Sequence, residues 1–120
     1  MKSILVVDDN AGVRAVLTDV LELLGCSVET ASNGREALER LGQSRPDLIL
    51  LDWMMPVMDG REFGVALRRL PEAAHIPVVL TSAAPGAEAV GRDIQAKAFL
   101  PKPFRMDDLA RLVELLDHWS

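Results

Sequence analysis

The sequence lacks the features that identify secreted, membrane-spanning and zinc-binding proteins. Cys26 is the only cysteine among 120 residues, so no internal disulfide can form, and no cluster of His and Cys suggests a zinc site. No apolar run is longer than four residues, which is too short to span a membrane. Asp8 and Asp9 also interrupt the first apolar run too early for a secretory signal. We therefore expect a protein of the reducing cytoplasm.

The chain also lacks an excess of basic residues. Thirteen Lys and Arg residues stand against eighteen Asp and Glu residues, for a net charge of −5, and the basic residues are scattered. This charge disfavours direct binding to nucleic acid, because phosphate contacts need a cationic face. At 49% hydrophobic and 26% charged residues, the composition is that of one ordinary globular domain, which we expect to cover residues 1–120.

Five short apolar segments have the character of β-strands. Residues 4–7 and 48–51 are unbroken aliphatic runs, which are typical of strands with both faces buried. The five predicted strands cover residues 4–7, 26–31, 48–51, 76–80 and 98–100.

Between these segments the apolar spacing changes to that of a helix. Residues 11–24 carry one apolar stripe, which Asn10 or Asp9 can cap and Gly25 can end. The second predicted helix follows Asn33, and the third covers residues 61–70. The fourth covers residues 85–95 with interruptions at Gly86 and Gly91, and the fifth follows a cap at Asp107.

Strict alternation of strands and helices predicts an α/β fold. Right-handed crossovers give a doubly wound parallel sheet with helices on both faces, and five β-α units favour the flavodoxin-like strand order 2-1-3-4-5. In that order the chain reverses between the first and third strands, where ligands bind outside the carboxyl ends. Asp8 and Asp9 follow the first strand and Asp52 follows the third, so we expect their carboxylates to converge.

Three converging carboxylates repel one another, so their negative charge must be reduced or balanced. Either the pKa of one rises or a hard cation joins them, and Mg²⁺ is the cation that suits a few carboxylates beside phosphate oxygens. Alternatively, one of Asp8 and Asp9 caps the following helix and the other is solvated. Thr81 and Lys102 follow the fourth and fifth strands at the same edge. A hydroxyl and an ammonium beside the acids are what a bound phosphoryl group needs.

Four ordered motifs carry a family resemblance. The chain resembles a response-regulator receiver domain of bacterial two-component signalling over essentially its whole length. The matching segments are VVDDN at 6–10, LDWMMPVMDG at 51–60, VLTSA at 79–83 and KPF at 102–104.

The resemblance implies a role for each site residue. Asp52 would accept a phosphoryl group from a phosphohistidine of a sensor histidine kinase or a histidine phosphotransfer protein. Asp8, Asp9 and Asp52, with the backbone carbonyl of Met54, would hold Mg²⁺. Thr81 and Lys102 would contact the phosphoryl oxygens. The domain would then catalyse its own phosphorylation and dephosphorylation, which differs from conventional enzymatic turnover.

The resemblance also implies a conformational switch. Thr81 would move toward the phosphoryl group and Phe99 would turn inward behind it, although Phe99 also fits as a core residue of the fifth strand. The Lys102–Pro103 bond would be cis, and residues 54 and 83 would tune dephosphorylation. Surface residues of the first helix, such as Arg14 and Asp19, would help to select the kinase.

The output side departs from the family pattern. Residues 95–98 lack the Gly-Ala-Asp-Asp often found there, which puts a symmetric dimer through the fourth and fifth units in doubt. No output domain follows in this sequence, so we expect either a protein acting by contact alone, through a protein effector, or an excised domain.

Two other functions remain open. The first is a pseudo-receiver scaffold of the same fold that binds partners without phosphorylation. The second is a flavodoxin-like cofactor carrier, which would need a Gly/Ser/Thr-rich phosphate loop where this chain has Asp8-Asp9-Asn10-Ala11.

Overall fold

The computed structural model describes residues 1–119, which form alternating strands and helices. In chain order these are β1 (Ser3–Val7), α1 (Ala11–Leu23), β2 (Ser27–Ala31), α2 (Gly34–Leu41), β3 (Leu48–Asp52), α3 (Gly60–Arg68), β4 (Val78–Ser82), α4 (Ala87–Asp93), β5 (Ala98–Pro101) and α5 (Met106–Leu116). Within this part of the chain, no helix has the length and apolar character needed to cross a bilayer.

The strands form one parallel sheet in the order β2-β1-β3-β4-β5. The predicted flavodoxin-like topology is therefore confirmed. The chain reversal lies between β1 and β3, and the register sets Asp52 at the end of β3 beside Thr81 on β4. The carboxyl ends of the central strands thus meet at one edge of the sheet.

Helices bury the sheet on both faces, and successive strand residues point alternately to the two sides. Leu5, Val7 and Leu51 contribute to the cluster that packs with α2, α3 and α4. Ile4 and Leu50 contribute to the other, which packs with α1 and α5. This two-sided burial is the physical reason for the unbroken apolar runs in β1 and β3.

Polar caps start three of the helices. The side chains of Asn10 and Asn33 accept backbone N–H groups at the starts of α1 and α2, and Asp59 does so for α3. The predicted cap at Asp107 is wrong: the cap is Arg105, two residues earlier, and its N–H donates to the carboxylate of Asp108 at 2.8 Å.

Several other boundaries differ by one or two residues from the sequence prediction, and the backbone explains two differences in particular. The helix predicted over 85–95 is confined to α4, because Gly86 precedes it with φ of +89° and Gln95 follows it with φ of +58°. Strand β4 begins at Val78, after Pro77, because proline cannot donate a ladder hydrogen bond.

Arg68, in the last turn of α3, hydrogen-bonds to both the α3–β4 and the α4–β5 connections, at the edge of the sheet opposite the carboxyl ends of the strands. Burial lowers the pKa of its guanidinium. Its N–H groups donate to the backbone carbonyl oxygens of Ala74, Ile76, Ile94 and Gln95 at 2.6–3.2 Å.

Candidate functional site

Three carboxylates meet where the chain reverses between β1 and β3. Asp8 directly follows β1, and its N–H donates to the carbonyl of Ala31 on β2 at 3.1 Å. Asp52 is the last residue of β3. One carboxylate oxygen from each of Asp8, Asp9 and Asp52 lies within 4.8 Å of the other two. The topology therefore brings these three predicted residues together, which sequence distance alone does not.

The three acids differ in their exposure to solvent. Asp8 is 2% exposed and Asp52 is 5% exposed, whereas Asp9 is an exposed residue. Burial and the negative charge of Asp8 raise the pKa of Asp52 to about 6, against the opposing effect of Lys102; Asp9 raises it further. At pH 7 most Asp52 carboxyl groups are therefore ionised, although burial and the charge of Asp8 make the ionised form unfavourable.

Lys102 extends from the end of β5 into the acidic cluster. Its Nζ lies 2.7 Å from Asp8 Oδ2 and 3.5 Å from Asp52 Oδ1. Burial by itself lowers the pKa of Lys102, but the hydrogen bond to Asp8 and the charges of Asp52 and Asp8 outweigh it, so the pKa is raised. One ammonium against three carboxylates leaves the cluster negative, which is the charge that a divalent cation would balance.

The backbone around Asp8 is held by two further contacts. Its Oδ1 accepts the N–H of Asn10 at 2.9 Å, and its carbonyl oxygen accepts Nη1 of Arg14 at 2.6 Å. Sequence reasoning treated Arg14 as a surface residue that helps to select a kinase and missed this contact. An arginine in the first turns of the helix after the acidic pair was the available signal.

Three other predicted site residues lie outside the ion pairs of Lys102 with Asp8 and Asp52: Thr81, Met54 and Phe99. Thr81 is 2% exposed and neighbours Asp52 in the sheet, and its hydroxyl lies 3.5 Å from the carbonyl of Leu51, at the limit of a hydrogen bond. The side chain of Met54 is 54% exposed. Phe99 is half-buried against the core on β5.

The loop after Asp52 is anchored at both ends. Gly60 begins α3 so close to β3 that a Cβ there would lie 2.6 Å from the carbonyl oxygen of Asp52. The N–H of Gly60 also donates to the carbonyl of Trp53 at 2.8 Å. Within the loop, Val57 has φ of +69°, a left-handed conformation that β-branched residues rarely adopt.

A largely apolar groove of about 560 Å³ opens beside Lys102. It lies between α1 and the β5–α5 connection, where the Lys102–Pro103 bond is cis, as predicted. The lining residues are Asn10, Gly12, Val13, Val16, Leu17, Ala83, Lys102, Pro103 and Phe104.

Comparison with known proteins identifies the family. The model of the response regulator receiver domain matches residues 4–114. This chain belongs to the response regulator receiver domain family. Its flavodoxin-like sheet and the acidic cluster at the sheet's carboxyl edge are consistent with that membership.

Relatives of this receiver domain include longer response regulators. Response regulator MprA of Mycolicibacterium vanbaalenii is 42% identical over 114 residues, which are 94% of this chain and 49% of that protein. MprA of Mycobacterium leprae is 41% identical over 114 residues, covering 94% and 50%. The receiver domain thus spans about half the length of these relatives.

Solved structures with the same fold cover nearly the whole receiver domain. Chemotaxis response regulator CheY4 of Vibrio cholerae superposes with a TM-score of 0.88 at 33% identity, covering 97% of this chain and 98% of that one. Response regulator TrrA of Thermotoga maritima, solved in complex with Mg²⁺ and BeF, gives 0.84 at 31% identity, covering 97% and 99%.

Proposed function

We propose that this receiver domain is a phosphorylation-dependent signalling switch in which Asp52 accepts a phosphoryl group. The observation that carries the proposal is the position of Asp52: a buried carboxylate with a raised pKa, 3.5 Å from an ammonium and beside two further acids. Such a cluster is electrostatically costly to maintain, and perturbed groups of this kind are typical of functional sites. Membership of the receiver family supplies the reaction class.

The reaction forms one bond and breaks one. A carboxylate oxygen of Asp52 attacks the phosphorus of a phosphohistidine, and the P–N bond breaks with its electron pair leaving on the imidazole nitrogen. Lys102 offsets the repulsion between the two anions, since its Nζ already lies between Asp8 and Asp52. The product is an acyl phosphate, which water hydrolyses, so the signal expires.

The donor set fits a magnesium ion. Three hard carboxylate oxygens gather within 4.8 Å, and their charge exceeds what Lys102 balances. Asp8, Asp9 and Asp52, with the carbonyl of Met54, would hold the ion. A bound Mg²⁺ would neutralise negative charge on the transferring phosphoryl group and on Asp52. The Mg²⁺ and BeF complex of TrrA from Thermotoga maritima supports this part of the proposal by analogy.

The switch would begin at Thr81 and continue to Phe99. The weak 3.5 Å contact of the Thr81 hydroxyl leaves it free to donate to a phosphoryl oxygen on the neighbouring Asp52. Phe99 is half-buried, so it has room to become more buried once Thr81 moves. We expect lower solvent exposure of Phe99 with a phosphoryl mimic; equal exposure in paired free and activated structures would contradict this.

The partners follow from the reaction. The phosphoryl donor would be a sensor histidine kinase or a histidine phosphotransfer protein in the cytoplasm, and the output would be a changed protein-binding surface. Net charge of −5 and scattered basic residues argue against direct nucleic-acid binding by this domain.

Intact mass spectrometry tests the proposal directly. Wild-type protein incubated with Mg²⁺ and acetyl phosphate should gain the mass of one phosphoryl group, and the adduct should be absent from Asp52→Asn and from wild type in EDTA. Asp19→Asn, at an exposed carboxylate on α1, is the matched control and should be phosphorylated normally. An unmodified wild type would favour the phosphorylation-independent scaffold instead.

A further inference from the structure

Two of the three clustered acids share a single peptide bond. The carbonyl oxygen of this peptide group belongs to Asp8, and it accepts a hydrogen bond from Nη1 of Arg14 at 2.6 Å. Arg14 lies in the first turns of α1 and is half-buried. This contact is the shortest hydrogen bond made by any side chain around the cluster, yet it involves none of the carboxylate oxygens.

The peptide unit transmits the effect of that contact to Asp9. Because a peptide group is planar, fixing the direction of the Asp8 carbonyl also fixes the direction of the Asp9 N–H and the start of the Asp9 residue. The carboxylate of Asp8 is separately held by the Asn10 N–H and by Lys102. Asp9 is exposed, so its orientation depends chiefly on its backbone.

Arg14 and Lys102 act differently on the same cluster. Lys102 occupies Asp8 Oδ2 and so competes for an atom that a metal would use. Arg14 brings positive charge within one peptide unit of the acids while its Nη1 binds the Asp8 carbonyl oxygen, an atom outside the carboxylate groups. A guanidinium in this position lowers the repulsion among the acids without blocking them.

We propose that Arg14 is a positioning residue for the divalent cation: it orients the Asp8–Asp9 peptide so that the Asp9 carboxylate faces Asp8 and Asp52. The identity of the ion as Mg²⁺ rests on the proposed function. Removing a residue that hydrogen-bonds near a metal ligand and orients it commonly weakens metal affinity by about 10-fold or more. A residue that only anchored α1 would affect stability and leave the affinity unchanged.

Isothermal titration with Mg²⁺ measures this role without any phosphorylation. Arg14→Met, which keeps the aliphatic packing, should weaken Mg²⁺ binding by about 10-fold. Arg14→Lys, which keeps a donor and the charge, should recover most of the affinity. Arg111→Met, at an exposed position on α5, makes the same change in net charge and should bind like wild type. If Arg14→Met does not fold, Arg14→Leu, which also removes every donor, should show the same weakening.

Phosphorylation kinetics provide a second measurement. In Arg14→Met the Mg²⁺ concentration for half-maximal phosphorylation by acetyl phosphate should rise, while the rate at saturating Mg²⁺ should stay close to that of wild type. Unchanged Mg²⁺ affinity in Arg14→Met, or an equal loss in Arg111→Met, would overturn the role of Arg14 alone. Wild type that binds Mg²⁺ but is never phosphorylated would overturn the proposed function alone, and wild type that binds no Mg²⁺ would overturn both.

Discussion

Replacing Asp52 with Asn should stabilise the metal-free protein at neutral pH. Asp52 is 5% exposed and its carboxylate lies beside those of Asp8 and Asp9, so its charge is unfavourable in the folded state. Asn has nearly the same shape and carries no charge. The substitution that abolishes the proposed phosphorylation should therefore raise the free energy of unfolding.

The pKa of Asp52 sets the size and the pH range of the effect. Folding raises this pKa from 3.8 to about 6, so the folded protein holds the proton more tightly than the unfolded chain does. The free energy of unfolding therefore falls as pH rises from about 4 to about 6, by at most roughly 3 kcal/mol. The attraction of Lys102 is already part of this pKa, so Asp52→Asn should gain at most roughly 3 kcal/mol over wild type above pH 6.

Urea unfolding followed by circular dichroism, in excess EDTA between pH 4 and pH 8, measures this difference. Wild type and Asp52→Asn should have similar free energies of unfolding near pH 4, where the carboxyl group is neutral like the amide. The difference should grow from about pH 4 to about pH 6 and then stay nearly constant. Asp19→Asn, at an exposed carboxylate, should follow wild type throughout.

Two results would refute this reasoning. One is an Asp52→Asn protein that is less stable than wild type at pH 7.5 without metal. The other is a stability difference that does not change with pH, because it would mean that the charge of Asp52 is not the cause.

Four further substitutions test backbone packing near the site and at the opposite edge of the sheet, each by urea unfolding in EDTA. Gly60→Ala places a Cβ 2.6 Å from the carbonyl oxygen of Asp52 and should lower the free energy of unfolding by at least about 2 kcal/mol. Gly91→Ala in α4 meets only ordinary contacts and should raise the free energy of unfolding by about 0.5–1 kcal/mol. Equal effects of the two substitutions would contradict the close approach at Gly60. Val57→Gly should stabilise by about 0.5–1 kcal/mol because it relieves φ of +69°, and a loss of stability would show that the valine side chain contributes more than the strain costs. Arg68→Met should cost about 2–3 kcal/mol because it removes the donors to four carbonyl oxygens, and a smaller effect than that of Arg111→Met would count against this tie.

Most of the fold could be predicted because the apolar pattern reports burial directly. The unbroken runs at 4–7 and 48–51 exist because those strands have helices on both sides, as the strands of a parallel sheet in an α/β fold do. The cap of α2 at Asn33 was also predictable, and the cap of α1 was limited to Asn10 or Asp9, of which the structure has Asn10. The start of α5 was not, because neighbouring acids compete there and the bond that forms joins Arg105 to Asp108.

The acidic cluster could be predicted from topology, but its energetics could not. Strand ends at the chain reversal must lie at one edge of the sheet, so Asp8 and Asp52 follow from the strand order. The pKa of Asp52 depends on how completely its neighbours exclude water, and the preference of Lys102 for Asp8 over Asp52 is a difference of less than 1 Å in side-chain position.

Residue order along the chain was enough to predict five strands, their order in the sheet and the acids at the reversal, because periodicity and connectivity are local and topological properties. Tertiary packing alone decided the raised pKa of Asp52, the left-handed Val57 and the contact from Arg14 to the Asp8 carbonyl. These depend on how far elements approach one another and how much water they exclude, and no pattern of residues along a chain encodes those distances directly.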